Sequence, residues 1–115
     1  METFKVAVLI SGNGSNLQAL IDNFKKEESI IEINCVISNK ENAFGLERAE
    51  KASIDNHFID HTKFKSREEF DKRLIQILDN YSPDLIVLAG FMRILSEVFV
   101  DKYIGRLINI HPSLL

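Results

Sequence analysis

The stretch Phe4-Lys5-Val6-Ala7-Val8-Leu9-Ile10-Ser11-Gly12-Asn13-Gly14-Ser15-Asn16-Leu17 decides the fold. An apolar run of strand length bends through glycines into a segment where Leu17, Leu20, Ile21 and Phe24 recur at helical spacing. Ser15 and Gln18 make a capping-box pattern that predicts the start of this helix. The strand is apolar on both faces, which suits a parallel sheet covered by helices on both sides.

The same alternation continues outward. Residues 31–37 predict a second strand, residues 44–52 a short helix with a mostly alanine face, and His57-Phe58-Ile59 a third strand. Ser66 and Glu69 form a second capping box. Phe70, Leu74, Ile77, Leu78 and Tyr81 then mark one helical face, which Pro83 brings to an end. Leu85-Ile86-Val87-Leu88-Ala89 reads as a fully buried strand, residues 96–103 as a short helix ended by Gly105, and residues 107–110 as the last strand. No repeat or Pro/Gly/Ser-rich linker divides the chain. Residues 1–115 are therefore expected to form one α/β domain, an open and mainly parallel Rossmann-like sheet with helices on both faces. Ligands of such sheets bind at the carboxyl edge, where strand order reverses. Three segments fall on that edge: the glycine-rich bend, Gly90-Phe91-Met92-Arg93, and Asn109 with His111.

Bulk composition narrows the function. Hydrophobic residues at 45% and charged residues at 27% of 115 fit a globular domain rather than a disordered chain. A net charge of −3 without a basic block disfavours nucleic acid as the main partner, yet leaves room for one small phosphate-bearing ligand. No apolar run reaches membrane-spanning length and the start lacks a secretory pattern, so no membrane association is expected. The single cysteine, Cys35, cannot close an internal disulfide, which fits a reducing, cytoplasmic compartment; it reads as a small core residue. Oligomeric state has no signature here.

The bend between strand and helix can bind an anion. Its glycines let the backbone approach a ligand, and free N–H groups with the helix dipole favour negative charge. Ser15 and Asn16 add side-chain donors. The plainer alternative is a tight turn with a serine cap. A dinucleotide site would want a small residue where Leu17 stands and an acid after the second strand, where Ser38-Asn39 stand. Both departures favour a single phosphate group.

Asn109 and His111 are two apart on a strand and so share a face, with Pro112 holding His111 extended. An amide donor and an imidazolium together suit acyl-type transfer, where negative charge builds on a carbonyl oxygen and a proton must move. The alternative is a strand end with a polar cap. Arg93 suits a carboxylate or phosphate, or stands as a surface charge. Arg67 opens a helix, where a cation is unfavourable beside the dipole, and so points to a ligand or a neighbouring carboxylate. His57 and His61 are four apart across a strand pattern, which favours structural roles over metal binding. Lys25-Lys26-Glu27-Glu28 reads as a solvated helix end.

Four blocks carry a resemblance: Val8-Leu9-Ile10-Ser11-Gly12-Asn13-Gly14-Ser15-Asn16-Leu17-Gln18-Ala19; Ser38-Asn39-Lys40 with Ala43-Phe44-Gly45-Leu46-Glu47-Arg48-Ala49; Leu88-Ala89-Gly90-Phe91-Met92-Arg93-Ile94-Leu95; and Asn109-Ile110-His111-Pro112-Ser113-Leu114-Leu115. In register over the whole chain, they resemble the N-terminal part of the phosphoribosylglycinamide formyltransferases, folate-dependent enzymes of purine synthesis. The resemblance implies transfer of formyl from 10-formyltetrahydrofolate to the amine of glycinamide ribonucleotide, with no metal. It implies that Gly14, Ser15 and Asn16 hold the ribonucleotide phosphate. Arg67 and the Met92-Arg93-Ile94-Leu95 segment would contact the folate; Asn109 would lie by the formyl group, and His111 would be the general acid. In that family an Asp well beyond His111 orients it, and no Asp follows His111 here. The 115-residue chain is therefore expected to be truncated at its C-terminus and to be inactive, or nearly so, by itself.

Related enzymes that share the Asn-x-His-Pro-Ser-Leu-Leu pattern, folate deformylase and methionyl-tRNA formyltransferase, are rival readings. The phosphate bend weighs against both, and the low positive charge weighs further against a tRNA substrate. A non-catalytic phosphate- or nucleotide-binding fragment remains an alternative. A dinucleotide-dependent oxidoreductase is disfavoured by Leu17 and Asn39.

Overall fold

A computed structural model describes residues 3–24 and 30–110 of the chain. Five strands alternate with four helices: β1 (Phe4–Ile10), α1 (Ser15–Phe24), β2 (Ile31–Ser38), α2 (Phe44–Lys51), β3 (Asn56–Phe58), α3 (Arg67–Asp79), β4 (Leu85–Ala89), α4 (Glu97–Lys102) and β5 (Leu107–Ile110). A short 3-10 turn, His61–Lys63, precedes α3. The strands lie in the order β3-β2-β1-β4-β5, every pairing parallel. The chain moves outward from β1 to β3, returns to the other side of β1, and moves outward again to β5. Strand order thus reverses between β1 and β4, the position where open α/β sheets bind ligands.

Both faces of the sheet are packed, as the two-sided apolar strands require. On one face Ala7, Leu9, Cys35, Ile37 and Ile86 meet Phe70, Leu74, Leu78 and Phe99 from α3 and α4. On the other Val6, Val8, Ile10, Val36 and Val87 meet Leu17, Ile21 and Ala49 from α1 and α2. Each fully buried large side chain contributes roughly 1.5–3 kcal/mol. α2 can approach closely because Gly45 and Ala49 are its buried residues, which is the reason for its weak apolar pattern.

Strict alternation would put Ile33 and Cys35 on the same face of β2. The structure puts them on opposite faces, Ile33 with Val36 and Cys35 with Ile37. The register against β1 slips by one residue between Val6–Ile33 and Ala7–Cys35, leaving Asn34 as the extra residue of a bulge. Asn34 Nδ2 donates to Tyr81 O at 3.0 Å, while its buried Oδ1 has no hydrogen-bond partner among the described residues.

The two capping boxes have different fates. At α3, Ser66 Oγ accepts from Glu69 N–H at 3.1 Å, while Glu69 Oε2 accepts from Lys65 N–H, one residue earlier than the reciprocal pattern. At α1 the box is not made. Ser15 is already the first helical residue, and Gln18 N–H bonds Gly14 O at 2.8 Å. The Gln18 side chain donates to Asp22 and accepts from Arg48 instead. The bend follows so tightly after β1 that Gly14, with φ +81°, takes the place a capping serine would need.

His57 and His61 hold separate partners. Tyr81 OH donates to Asp55 Oδ2 at 3.0 Å, so its oxygen accepts at 2.7 Å from His57 Nε2, which must carry a proton. His61 Nδ1 lies 3.2 Å from Asn39 O. Among the described residues no group of three or more His, Cys, Asp or Glu is arranged to hold a metal ion. Cys35 is fully buried, and burial, with the Asp55 charge adding to it, pushes its thiol up to about 12. Among the described residues no helix is long and apolar enough to cross a membrane. The Lys25-Lys26-Glu27-Glu28 segment lies outside the described residues.

Candidate active site at the carboxyl edge of the sheet

The bend after β1 is locked from behind. Gly45 N–H donates to Gly12 O at 3.1 Å. Arg48 Nε donates to Asn13 O at 2.8 Å and its Nη2 to Asn13 Oδ1 at 2.7 Å. A Cβ on Gly14 would lie 2.7 Å from Gly45 Cα, so the bend and α2 touch backbone to backbone. The side chains of Ser15 and Asn16 make no hydrogen bond among the described residues and remain open to a ligand at the start of α1.

Beyond β4, Gly90 with φ +75° turns the chain into residues 91–96, which carry no regular structure. Met92 and Ile94 are 78% and 69% exposed, more than a core role tolerates. Arg93 lies over the Phe70 ring, its guanidinium carbon 4.5 Å from the centroid, and its Nε is buried without a hydrogen-bond partner among the described residues. Arg67, exposed at the first position of α3, joins Met92, Arg93 and Ile94 with His61, Phe64, Lys65 and Ser66 around one cleft of about 490 Å³. Leu95 is not in this cleft; it packs against the core beneath α3 and α4. Asn109 is exposed on β5, in register with Leu88 of β4, and Ile110 pairs with Ala89 at the same edge. His111 lies outside the described residues, and so does its distance from Ser15.

The structure thus brings Arg67, Met92, Arg93 and Ile94 around one cleft, while Gly14, Ser15, Asn16 and Asn109 stand at other points of the same edge. Four residues that join these parts escaped the sequence reading. Ser11, buried at the end of β1, donates to Asn39 Oδ1 at 2.5 Å and accepts from Met92 N–H at 2.7 Å. Asn39 is itself buried just beyond β2. Arg48 holds the bend. Asp71, fully buried on α3, accepts from Ser96 N–H at 2.6 Å. For Ser11 and Asn39 there was a signal: adjacent parallel strands, each ending in a polar residue. For Arg48 and Asp71 there was none beyond a charge on a helix.

A doubly wound parallel sheet with a glycine bend at its switch point and polar side chains along its carboxyl edge has the layout of the open α/β class, whose members bind ligands at that edge. The chain belongs to the formyl transferase family, whose sequence profile matches residues 4–115. It is 57% identical over 110 residues to phosphoribosylglycinamide formyltransferase of Escherichia coli K12, covering 96% of this chain and 52% of that protein. It is 55% identical over 111 residues to the trifunctional purine biosynthetic protein adenosine-3 of Gallus gallus, covering 96% of this chain and 11% of that one. Its structure superposes on phosphoribosylglycinamide formyltransferase of Coxiella burnetii with a TM-score of 0.92 at 54% identity, over 99% of this chain and 54% of that one. The chain therefore spans about half the length, 52%, of the bacterial enzyme it matches.

Proposed function

We propose that the protein carrying this chain transfers a formyl group from 10-formyltetrahydrofolate to the amine of glycinamide ribonucleotide, in the cytoplasm, as a step of purine synthesis. The observation that supports this reading best is the layout of one sheet edge. The bend offers the open Ser15 and Asn16 side chains at a helix start. The cleft of Arg67, Met92, Arg93 and Ile94 opens on the same edge. Asn109 is at the end of the strand that flanks β4.

In this reading Gly14, Ser15 and Asn16 hold the ribonucleotide phosphate through N–H groups, hydroxyl and amide, helped by the helix dipole. Arg67, Arg93 and the exposed apolar pair Met92 and Ile94 receive the folate, with Leu95 fixing the segment to the core. The amine nitrogen attacks the formyl carbon, and the new N–C bond forms as the carbonyl oxygen takes up negative charge. Asn109 and an imidazolium at His111 stabilise that oxygen. The bond from carbon to the folate nitrogen then breaks. His111 serves as general acid, so that the proton lost by the amine is matched by one delivered to the leaving nitrogen. No metal enters the step.

The test is direct. Full-length protein is mixed with glycinamide ribonucleotide and 10-formyltetrahydrofolate, and formylated ribonucleotide and tetrahydrofolate are quantified. Equal amounts of both are expected. Release of free formate without formylated ribonucleotide would instead assign a deformylase. Binding of the ribonucleotide with no turnover would assign a phosphate-binding module.

A further inference from the structure

The segment formed by residues 92–95 has no regular secondary structure, yet it is pinned at both ends by side chains from distant elements. At one end Met92 N–H donates to Ser11 Oγ at 2.7 Å; at the other Ser96 N–H donates to Asp71 Oδ2 at 2.6 Å. Ser11 is 7% exposed and Asp71 0%, so neither bond is exchanged for water at little cost. The two pins differ in what lies behind them. Asp71 belongs to α3, and among the described residues its carboxylate bonds only Ser96 N–H. Ser11 is the first residue of the bend itself, and its hydroxyl proton is committed to Asn39 Oδ1 at 2.5 Å. With that proton used, the oxygen is left as an acceptor aimed at Met92.

We infer that Ser11 is a positioning residue that couples the two ligand loops, so that filling the bend with the ribonucleotide tightens the cleft for the folate. The inference rests on the proposed function and extends it. A phosphate ordering residues 12–16 also restrains Ser11, which adjoins them. Met92 and the cleft wall then lose less freedom when the folate arrives, and that saving appears as positive cooperativity. By reciprocity the folate tightens the ribonucleotide by the same factor. Asn39 orients the hydroxyl and is part of the link.

The test is calorimetric titration of full-length protein with glycinamide ribonucleotide and with tetrahydrofolate, which cannot transfer formyl. Each ligand is titrated alone and with the other saturating. Wild-type protein should show coupling of about 5-fold or more, the low end of typical values. Ser11→Ala should weaken tetrahydrofolate binding by about 3- to 10-fold, the range that loss of one hydrogen bond covers, and bring the coupling factor down to about 1. Ser11→Thr keeps the hydroxyl and should restore the coupling. Asp71→Asn weakens the other pin, and should lower tetrahydrofolate affinity while leaving the coupling factor at its wild-type value. If Ser11→Ala does not fold, Asn39→Ala carries the test and should also reduce the factor. Full coupling in Ser11→Ala or in Asn39→Ala overturns the inference. So does independent binding in the wild type, which would leave the proposed function standing. Binding of neither ligand by the wild type would remove that function, and this inference with it.

Discussion

Replacing Gly14 by alanine tests how the bend is held against α2. Two costs combine there. The backbone has φ +81°, where an L-residue pays about 1–2 kcal/mol. The added Cβ would also lie 2.7 Å from Gly45 Cα, whereas carbon atoms rest about 3.5–4.0 Å apart. One backbone must retreat by roughly 1 Å, and overpacking of this kind costs about 1–3 kcal/mol. The sum is about 2–5 kcal/mol, a large part of the roughly 5–15 kcal/mol typical of a small protein. Two other glycines separate the costs. Gly90 has φ +75° with nothing within 4 Å of where a Cβ would stand, so Gly90→Ala isolates the backbone cost at about 1–2 kcal/mol. Gly12 has neither a positive φ nor a neighbour within 4 Å, and Gly12→Ala should change stability by less than about 0.5 kcal/mol. Urea denaturation of the three variants ranks them directly. The expected order of loss is Gly14 above Gly90 above Gly12. A Gly14→Ala protein no less stable than Gly90→Ala would refute the backbone contact with Gly45. If Gly14→Ala folds, its KM for the ribonucleotide should rise, because retreat of the bend displaces Ser15 and Asn16.

Further outcomes follow from the same geometry. His111→Ala should lower turnover by about 100-fold or more at saturating substrates, and an unchanged kcat would remove His111 as the acid. Arg67→Ala should raise the KM for the formyl folate with kcat nearly constant; equal KM values would remove Arg67 as a proposed folate contact. Ser15→Ala combined with Asn16→Ala should raise the KM for the ribonucleotide, measured by initial rates, with little change for the folate. Burial raises the Cys35 thiol from 9.0 to about 12, so the folded state holds this proton where the unfolded chain has lost it. The associated stability is complete below about pH 9 and declines as pH rises toward 12, at about 1.4 kcal/mol per pH unit at the steepest. Cys35→Ala should flatten the fall in urea midpoint between about pH 9 and 10.5; an identical fall in both proteins would rule out the buried thiol as its source.

The strand and helix order was legible because each element carries its own periodicity. Leu17, Leu20, Ile21 and Phe24 cannot line one side of anything but a helix, and Leu85-Ile86-Val87-Leu88-Ala89 is too short and too apolar for anything but a covered strand. The bend was legible as a bend for the same reason: glycines between a strand and a helix state their geometry locally. The bulge at Asn34 was not read, since a slip by one residue is decided by pairing with β1 rather than by β2 alone. The failed capping box at Ser15 shows the same limit. Its residues match the pattern, but the close approach of Gly14 to Gly45 sets where the helix begins.

By itself the sequence determined the alternating α/β order and the two-sided cover of the sheet, and it placed the candidate site segments on one edge, because these follow from side-chain spacing within each segment. Only the tertiary structure decided which side chains hold that edge together. Ser11 meets Asn39 and Met92 across 28 and 81 residues, and Asp71 meets Ser96 across 25. Hydrogen bonds between such distant residues leave no periodicity along the chain. They exist because packing the helices onto both faces of the sheet brings the strand ends, and the polar groups beyond them, within reach of one another.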